Sequence, residues 1–347
     1  MKKSRILGLL ALLVFVIVFP LLISPSTTVT ASAVFTLIFA IAVTGWNIFS
    51  GYTGYVSLGH SVFYGFGAYT IALASQDWNI PGGFAPFLLL PLAALVCGAV
   101  AFPLGWIALR TRRHTFVVVT IAFLFIFQLL AYNLSGITHG SAGIFMPITP
   151  WNADVFDLPF YYVALAVLLL AILTSWWVRQ SKYGLGLLAI RDDEDRALGL
   201  GVKTGEFKLS AYILSAMFVG MAGALFAYYV GIIYPQFGFD PVVDVTIALM
   251  AFLGGLGTLV GPLVGALIIV PLQHYLDLQI GGNGLNLIIY GALFLTIILV
   301  LPQGIVPSLK QWWYTWRASR TARLRPIAPA GRDQPATLTE RGGEIKR

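Results

Sequence analysis

The chain has 347 residues, of which 58% are hydrophobic and only 10% are charged, and its mean hydropathy is +0.86. A soluble domain of this size would carry about 25% charged residues, so the composition excludes a soluble protein and indicates a polytopic membrane protein. The net charge of +7 does not indicate nucleic-acid binding, because no basic cluster stands on a soluble domain.

Ten apolar segments approach the length that a helix needs to cross a bilayer, which is about 20 residues. Since backbone at membrane depth must satisfy its own hydrogen bonds, we predict an all-α polytopic membrane fold of about ten transmembrane helices, some of them short or broken. Residues 1–309 would form the membrane domain, and residues 310–347 a basic, disordered tail. The predicted helices lie near residues 6–23, 29–49, 61–75, 84–109, 115–133, 160–178, 208–230, 242–256, 263–279 and 285–301.

The first apolar segment has two interpretations. Basic residues before it and the sequence Ala31-Ser32-Ala33 after it resemble a signal peptide with its cleavage site. Its apolar run of about 18 residues is longer than the roughly 7–15 residues usual for such a peptide, which favours an uncleaved first helix. Cleavage would leave the remaining topology unchanged, so the distribution of charge does not decide between the two.

The 21 basic residues test this arrangement, because they fall into only four groups. If the amino terminus is cytoplasmic, ten helices place all four groups and the carboxyl terminus on the cytoplasmic face, as the positive-inside rule requires. The basic groups are residues 2–5, 110–113, 179–208 and 310–347. The loops of the opposite face would carry only acidic charges at or near their ends, namely Asp77, Asp154, Asp157, Asp240, Asp244 and Asp277.

Two glycine-rich breaks interrupt the apolar segments, the first at residues 50–69 and the second at residues 254–266. Paired breaks are typical of a transport pathway, because backbone groups freed from a helix can face the substrate. The alternative is close helix packing through small residues, for which Gly257, Gly261 and Gly265 have the right spacing. The candidate residues of the translocation pathway are Gly51, Gly54, Ser57, His60, Ser61, Tyr64, Gly254 and Gly257.

The sequence lacks the motifs that would supply energy or catalysis. It contains no P-loop motif, and its four histidines and single cysteine are not spaced as metal ligands. We therefore expect no enzyme activity, no ATPase site and no metal site in this chain. No Lys, Arg, Asp or Glu is predicted in the middle of a span, although ion-coupled transporters usually need such groups. His60 and His274 are the nearest candidates, with packing inside the bundle as the alternative for both.

Residues 179–208, which we call the island, form a charged stretch between two apolar spans. Such a stretch must lie in water on one side of the bilayer, where a partner can dock. We predict a short helix that starts near Arg191, because the acidic residues after it suit the positive end of the helix dipole. Gly199 and Gly201 can supply the left-handed stop at its end.

A small apolar face of Ala197, Leu198 and Leu200 would let this helix enter a groove on a partner protein. A solvated charged loop is the alternative. The predicted docking residues are Arg191, Asp192, Asp193, Glu194, Asp195, Arg196, Ala197, Leu198, Gly199, Leu200 and Gly201.

Three stretches carry a resemblance to a known family. They are residues 183–229, which contain R-D-D-E-D-R-A-L-G-L-G-V, the run G-Y-x-G-x-x-S-L-G-H at residues 51–60, and P-Q-G-I at residues 302–305. Together they resemble the permease subunits of branched-chain amino-acid ABC importers, of the LivM type, over nearly the whole chain except the tail. The sequence departs from the family at residues 195–198, which replace an Ala- and Glu-rich stretch, and this bears on the contacts with the ATPase.

The resemblance implies a transmembrane subunit of the bacterial inner membrane that moves Leu, Ile or Val inward. It also implies the partners: a second homologous permease subunit, two cytoplasmic ATPase subunits that use ATP, and an external substrate-binding protein. The island, residues 179–208, would then be the coupling loop, and residues 191–201 the part of it that couples to the ATPase. The cargo stays open, because relatives move urea, short amides, aromatic acids or sugars. A secondary transporter or channel, and a membrane anchor without a pathway, are the alternative classes.

Overall fold

The structure, a computed structural model, describes residues 14–22, 27–280, 291–292, 295–296 and 303–322. Residues 14–22 are helical. The following helices are α1 (Thr27–Trp46), α2 (Ser61–Asp77), α3 (Leu90–Ala108), α4 (Arg113–Asn133), α5 (Ser135–Thr138), α6 (Asp157–Gln180), α7 (Lys182–Asp192), α8 (Glu194–Gly199), α9 (Thr204–Val230), α10 (Pro235–Gly238), α11 (Pro241–Gly254), α12 (Gly261–Ile280) and α13 (Ile305–Ala322).

Short elements connect these helices. The strands β1 (Ile144–Phe145) and β2 (Ile232–Ile233) pair antiparallel, with Ile144 opposite Ile233. A π-helical turn at Asn47–Gly51 extends α1. Turns of 3-10 helix occupy Ala85–Leu89, Gly140–Ala142 and Ala153–Val155.

Six helical stretches of the described chain are long and apolar enough to cross a membrane, in agreement with the predicted all-α polytopic membrane fold. A shorter apolar helix covers Gly261–Leu276. Residues 6–13 and most of the predicted helix at 285–301 lie outside the described residues, so the number of ten helices stays a prediction. The six stretches are Thr28–Gly51, Ala85–Ala108, Arg113–Asn133, Ala153–Gln180, Thr204–Val230 and Pro235–Gly254.

Helix α9 lies at the centre of the bundle and packs against α1, α2 and α3. Its backbone approaches that of α2 directly, because a Cβ at Gly67 would strike the backbone of Gly220, and a Cβ at Gly223 the backbone of Tyr64. Small residues at helix contacts allow such close packing in membranes. Helix α4, by contrast, exposes large apolar side chains as a lipid-facing helix does, among them Val118, Phe125, Ile126 and Leu129.

Residues 51–60 join α1 to α2 as a largely non-helical segment inside the bundle, which we call the buried connection. Its backbone groups find partners on neighbouring helices. The Ser57 carbonyl accepts a hydrogen bond of 2.9 Å from the Trp46 indole, and the Leu58 amide donates to the Thr120 hydroxyl at 3.2 Å. Irregular backbone is tolerated at membrane depth only where protein buries it, and here the first glycine break meets that condition.

The second break joins α11 to α12, and three of its glycines serve close packing. A Cβ at Gly254 would meet the backbone of Gly261, and a Cβ at Gly265 the backbone of Met250. Packing, the alternative to a pathway, is therefore the role that the structure supports for Gly254, Gly261 and Gly265. Gly257 differs, because it has a φ of +73° and contacts the first break and the island.

The chain divides into two compact units, residues 1–308 and 309–347. Of the second unit the structure describes residues 309–322, all of them in α13. This helix runs past Lys310, where the predicted tail begins. The remainder of that tail lies outside the described residues.

Candidate functional site

The middle of the island forms two short helices, α7 and α8, with Asp193 between them in an extended conformation (φ −158°, ψ 109°). The Asp193 side chain accepts a hydrogen bond of 3.1 Å from the Arg196 amide, which makes it the N-cap of α8. Because this cap ends α7 at Asp192 and starts α8 at Glu194, the predicted helix start near Arg191 is wrong. Arg191 lies in the last turn of α7.

Helix α8 ends at a left-handed glycine, but at Gly201 alone. Gly201 has a φ of +86°, and its amide donates to the Leu198 carbonyl at 2.9 Å. A left-handed glycine just after the last turn is a common helix stop. Gly199 is the last residue of α8 and a Cβ there would meet open space, so the prediction that it forms the left-handed stop is wrong.

The exposed apolar face of α8 contains two leucines. Leu198 and Leu200 are 60% and 84% exposed, whereas Ala197 is 2% exposed. The prediction that Ala197 belongs to this face is therefore wrong, since its side chain packs into the protein. The same helix carries Asp195, which forms an exposed ion pair of 3.5 Å with Arg112. Helix α8 thus presents a small apolar patch among charges, as a docking helix does.

Glu194 joins α8 to the buried connection and to α9. Its carboxylate accepts hydrogen bonds from the Tyr55 hydroxyl and from the Lys208 ammonium, the latter at 2.5 Å. The Lys208 ammonium also lies 4.5 Å from the centre of the Tyr55 ring. Because the Lys208 side chain is only 5% exposed and Glu194 only 25%, water screens this pair far less than a surface ion pair. The three residues therefore tie the island to the first break.

Two arginines of the island bind backbone carbonyls at both glycine breaks. Arg191 donates to the Gly51 carbonyl at 2.8 Å, and Arg179 donates to the Gly257 carbonyl at 3.1 Å. The breaks touch each other, because a Cβ at Gly51 would lie 2.9 Å from the Gly257 amide nitrogen. That amide donates to the Asn47 side chain at 2.8 Å. Charge-assisted donors suit carbonyls that an interrupted helix leaves unpaired, so these contacts fix both breaks against the island.

The remaining pathway candidates lie along the buried connection and the first turn of α2. Gly54, with a φ of +73°, packs against Arg191. His60 places its Nε2 atom 2.8 Å from the Ser215 hydroxyl, and its ring is surrounded by aromatic rings, which supports the packed alternative for this histidine. Four of these candidate positions are buried in this conformation: Ser57, His60, Ser61 and Tyr64.

Asp244 lies in the first turn of α11 and is only 1% exposed. Its carboxylate accepts hydrogen bonds from the amides of His60 and Ser61, at 3.1 and 3.2 Å, and from the Ser61 hydroxyl at 3.1 Å. The sequence analysis places Asp244 at or near the end of an outer loop, and the structure does put it in the first turn of its helix, but there the carboxylate is buried and does not face water. The amides that begin α2 have no partner within their own helix, and they stabilise the buried carboxylate.

An open cleft of about 480 Å³ lies next to α8, and Arg113 in its wall donates to the Arg191 carbonyl at 3.0 Å. The mixture of guanidinium and carboxylate groups in this cleft suits a partner with charges of both signs. Within the described part of the chain, no three His, Cys, Asp or Glu residues form a metal-binding group. The cleft is lined by Tyr55, Arg112, Arg113, His114, Thr115, Asp192, Asp193, Glu194 and Asp195.

The sequence analysis did not select Tyr55 and Asp244 as residues of the site, and it named Arg179 and Lys208 only as charges at the two ends of the island. Two of them carried a usable signal. Lys208 opens the predicted span at residues 208–230, and Asp244 lies within the predicted span at residues 242–256. An ionisable side chain inside a predicted span needs hydrogen-bond partners, so Lys208 and Asp244 each indicated donors or acceptors on another helix.

The pH dependence of stability should report the Glu194 network. Burial alone raises the pKa of the Glu194 carboxyl, but hydrogen bonds from Lys208 and Tyr55 outweigh it and hold the pKa below its ordinary value of 4.5. The carboxylate therefore contributes stability at pH values above 4.5, and this contribution is lost as the pH falls through the lowered pKa. Thermal unfolding of the wild type and of Glu194→Gln is measured from about pH 7 to about pH 3. The difference between their melting temperatures should shrink as the pH falls. A difference in melting temperature that stays constant over this range would contradict a stabilising role of the Glu194 carboxylate.

A bundle of apolar helices, two interlocked glycine breaks and a polar two-helix island together define a multi-pass membrane protein with a candidate transport pathway. The family described as "Branched-chain amino acid transport system / permease component" matches residues 28–298. The chain belongs to this family.

Individual relatives agree with this family. The chain is 29% identical over 330 residues to the high-affinity branched-chain amino acid transport system permease protein LivM of Escherichia coli strain K12, covering 88% of this chain and 75% of the relative. It is 23% identical over 290 residues to LivH of Salmonella typhimurium, covering 77% and 91%. It is 24% identical over 195 residues to the autoinducer 2 import system permease protein LsrC of Yersinia pestis, covering 54% of each chain. No solved structure matches the chain.

Proposed function

We propose that the chain is the transmembrane permease subunit of an ABC importer that carries branched-chain amino acids inward. The observation that carries the proposal is the island, which presents Leu198 and Leu200 outward and binds both glycine breaks through Arg191 and Arg179. The similarity to LivM supports the cargo class, and the similarity to LivH supports pairing with a second, homologous permease. Separate ATPase subunits would hydrolyse ATP, and an external binding protein would deliver the cargo.

The proposed topology follows from the distribution of charge. Ten transmembrane helices with both termini in the cytoplasm would place the island on the cytoplasmic face of the bacterial inner membrane, where ATPase subunits work. Helix α8 would be the coupling helix. Residues 1–309 would form the permease domain, and residues 310–347 a cytoplasmic tail.

Movement of α8 has a direct route to the first glycine break. Glu194 accepts a hydrogen bond from the Tyr55 hydroxyl, and Arg191, just before α8, donates one to the Gly51 carbonyl. Both partners, Tyr55 and Gly51, belong to the buried connection. When the ATPase subunits close on ATP, a shift of α8 would pull on this segment and switch the bundle between its two states. The hydroxyl groups and aromatic rings along the segment suit a small zwitterionic solute.

Reconstitution tests this function. The complex is purified through this chain, its partners are identified by mass spectrometry, and ATP-dependent uptake is measured in proteoliposomes with the binding protein. Uptake of Leu, Ile and Val is compared with uptake of urea and a short amide, the alternative cargoes. A complex without an ATPase subunit would overturn the proposal, and uptake by the chain alone under an ion gradient would favour a secondary transporter or channel.

Replacing both Leu198 and Leu200 with aspartate should weaken the binding of the ATPase subunits about 100-fold. Central apolar anchors of an interface commonly contribute about 2–3 kcal/mol, and each 1.4 kcal/mol is about tenfold in affinity. Gly199→Val should act in the same direction, because its added side chain meets open space in this chain and can clash only with a partner. Affinity measurements between the purified permease and the ATPase subunits give the result.

Ile148→Asp is the matched control for these substitutions. Ile148 is 92% exposed, like the two leucines, but follows β1 far from α8 in the chain. It should leave ATPase binding unchanged, and equal losses in the control and in the leucine variant would remove α8 from the docking surface. Ala197→Asp is unsuitable as a probe, because Ala197 is 2% exposed and a buried carboxylate would destabilise the permease itself.

A further inference from the structure

The buried connection is held at both of its ends. At one end Arg191 binds the Gly51 carbonyl at 2.8 Å, and Glu194 binds the Tyr55 hydroxyl, so this end is fixed to the island. At the other end the amides of His60 and Ser61 bind the Asp244 carboxylate. The connection therefore links the docking helix to a carboxylate in the interior of the bundle.

At the inner end of the buried connection, both carboxylate oxygens of Asp244 accept hydrogen bonds. One carboxylate oxygen accepts from the His60 amide, and the other accepts from the amide and the hydroxyl of Ser61. All three donors are neutral and lie at the start of α2, where the positive end of the helix dipole favours a carboxyl oxygen. A buried carboxyl group held by the start of another helix couples the two helices, because separating them would leave its oxygens without hydrogen bonds inside the bundle.

Between its two ends the buried connection is also held by hydrogen bonds and close packing. The Ser57 carbonyl is bonded to the Trp46 indole at 2.9 Å, and its amide donates to the Ser50 hydroxyl at 3.3 Å. A Cβ at Gly59 would strike the backbone of Thr120, so the segment also lies against α4 without a gap. We therefore expect a displacement applied at its island end to reach the start of α2, because tightly packed segments transmit strain.

We propose that Asp244 is a positioning residue of the transport step. It holds the start of α2 to α11, so that a shift of the island, passed along the buried connection, moves both helices together. This inference rests on the proposed function, since it assigns Asp244 to the coupling of ATP hydrolysis to uptake. Without the carboxylate, α2 and α11 would move independently, and hydrolysis would continue without productive transport.

Asp244→Asn tests the inference in the whole complex with its ATPase subunits and binding protein in proteoliposomes. Asparagine has nearly the same size but puts an NH2 group in place of one of the two oxygens, both of which accept hydrogen bonds from the start of α2. Stimulation of ATP hydrolysis by the binding protein should persist, while the number of leucine molecules taken up per ATP falls about tenfold, a normal size for a coupling effect. The measured quantity is this ratio in assembled complex.

Asp240→Asn is the matched control. Asp240 precedes the same helix, but its carboxylate accepts only from the Val242 amide of that helix, at 2.8 Å. The ratio of uptake to hydrolysis should stay at the wild-type value. A purely stabilising role for Asp244 predicts that uptake and hydrolysis fall together with the amount of folded complex, and that result would overturn the inference.

Ser61→Ala decides the matter if Asp244→Asn fails to assemble. It removes one hydrogen bond to Asp244 and leaves both amide donors in place. The uptake-to-hydrolysis ratio should fall about threefold, as expected for the loss of one of three hydrogen bonds. An unchanged ratio in assembled Ser61→Ala complex would overturn the inference. Failure of the wild-type complex to take up leucine would instead contradict the proposed function.

Discussion

Replacing Glu194 with alanine should destabilise the protein by about 3 kcal/mol, because it strands a buried ammonium without a partner. Lys208→Ala should cost about half as much, since the remaining carboxylate loses a charged hydrogen bond but can reach water. The asymmetry follows from burial: the Lys208 side chain is 5% exposed and that of Glu194 25%. The free energy of unfolding of both variants, measured by detergent titration, gives the two values.

An exposed ion pair of the same chemical type provides the control. Lys203 and Glu206 lie 3.1 Å apart, and both side chains are 71% exposed. Glu206→Ala should therefore change the free energy of unfolding by less than about 0.5 kcal/mol. The double variant Glu194→Leu/Lys208→Met should recover most of the stability, because an apolar pair leaves no charge unpaired. If Glu194→Ala lowers the free energy of unfolding no more than Glu206→Ala does, the Glu194–Lys208 pair is no more important for stability than an exposed ion pair.

The class of fold and the two glycine breaks could be predicted from the sequence because they depend on local pattern. Long apolar runs with few charges give spanning helices whatever their neighbours are. The buried connection, residues 51–60 of the first break, also follows from local sequence. Its glycines interrupt an apolar run, and its backbone is largely non-helical between α1 and α2.

The contacts that join the island to the breaks depend on residues far apart in the chain. Arg191 binds the carbonyl of Gly51 from 140 positions away, and the Asp244 carboxylate meets Ser61 across 183 positions. Nothing in the local sequence specifies these partners. Asp244 was expected near the end of a loop, where a carboxylate normally lies in water, and the structure places it in the first turn of α11 but buried. The unpaired amides at the start of α2 reverse that preference.

The start of α8 was predicted wrongly for a local reason. The acidic run after Arg191 suits the first turn of a helix, but one of its members can also cap that helix. Asp193 takes the capping role and shifts the start to Glu194. This shift bears on the proposed function, because Arg191, which was predicted to belong to the docking helix, lies in α7 and donates to the Gly51 carbonyl.

Replacing Gly223 with alanine should destabilise the bundle by about 3 kcal/mol, the upper end of the usual cost of overpacking. The added Cβ would strike the backbone of Tyr64, which cannot rotate away as a side chain can. Relief requires α2 to move off α9. The first turn of α2 also carries Ser61, so the shift would pull on its bonds to Asp244 and should lower uptake as well as stability.

Gly205→Ala on the same helix separates this contact from the general effect of the substitution. Gly205 lies in the first turn of α9, and a Cβ there meets nothing within 4 Å. The variant should be as stable as the wild type or up to about 0.5 kcal/mol more stable, because alanine favours helix. If Gly223→Ala behaves in the same way, α2 and α9 are not in backbone contact. A loss confined to Gly223→Ala shows that glycine there sets the position of the helix that Asp244 holds.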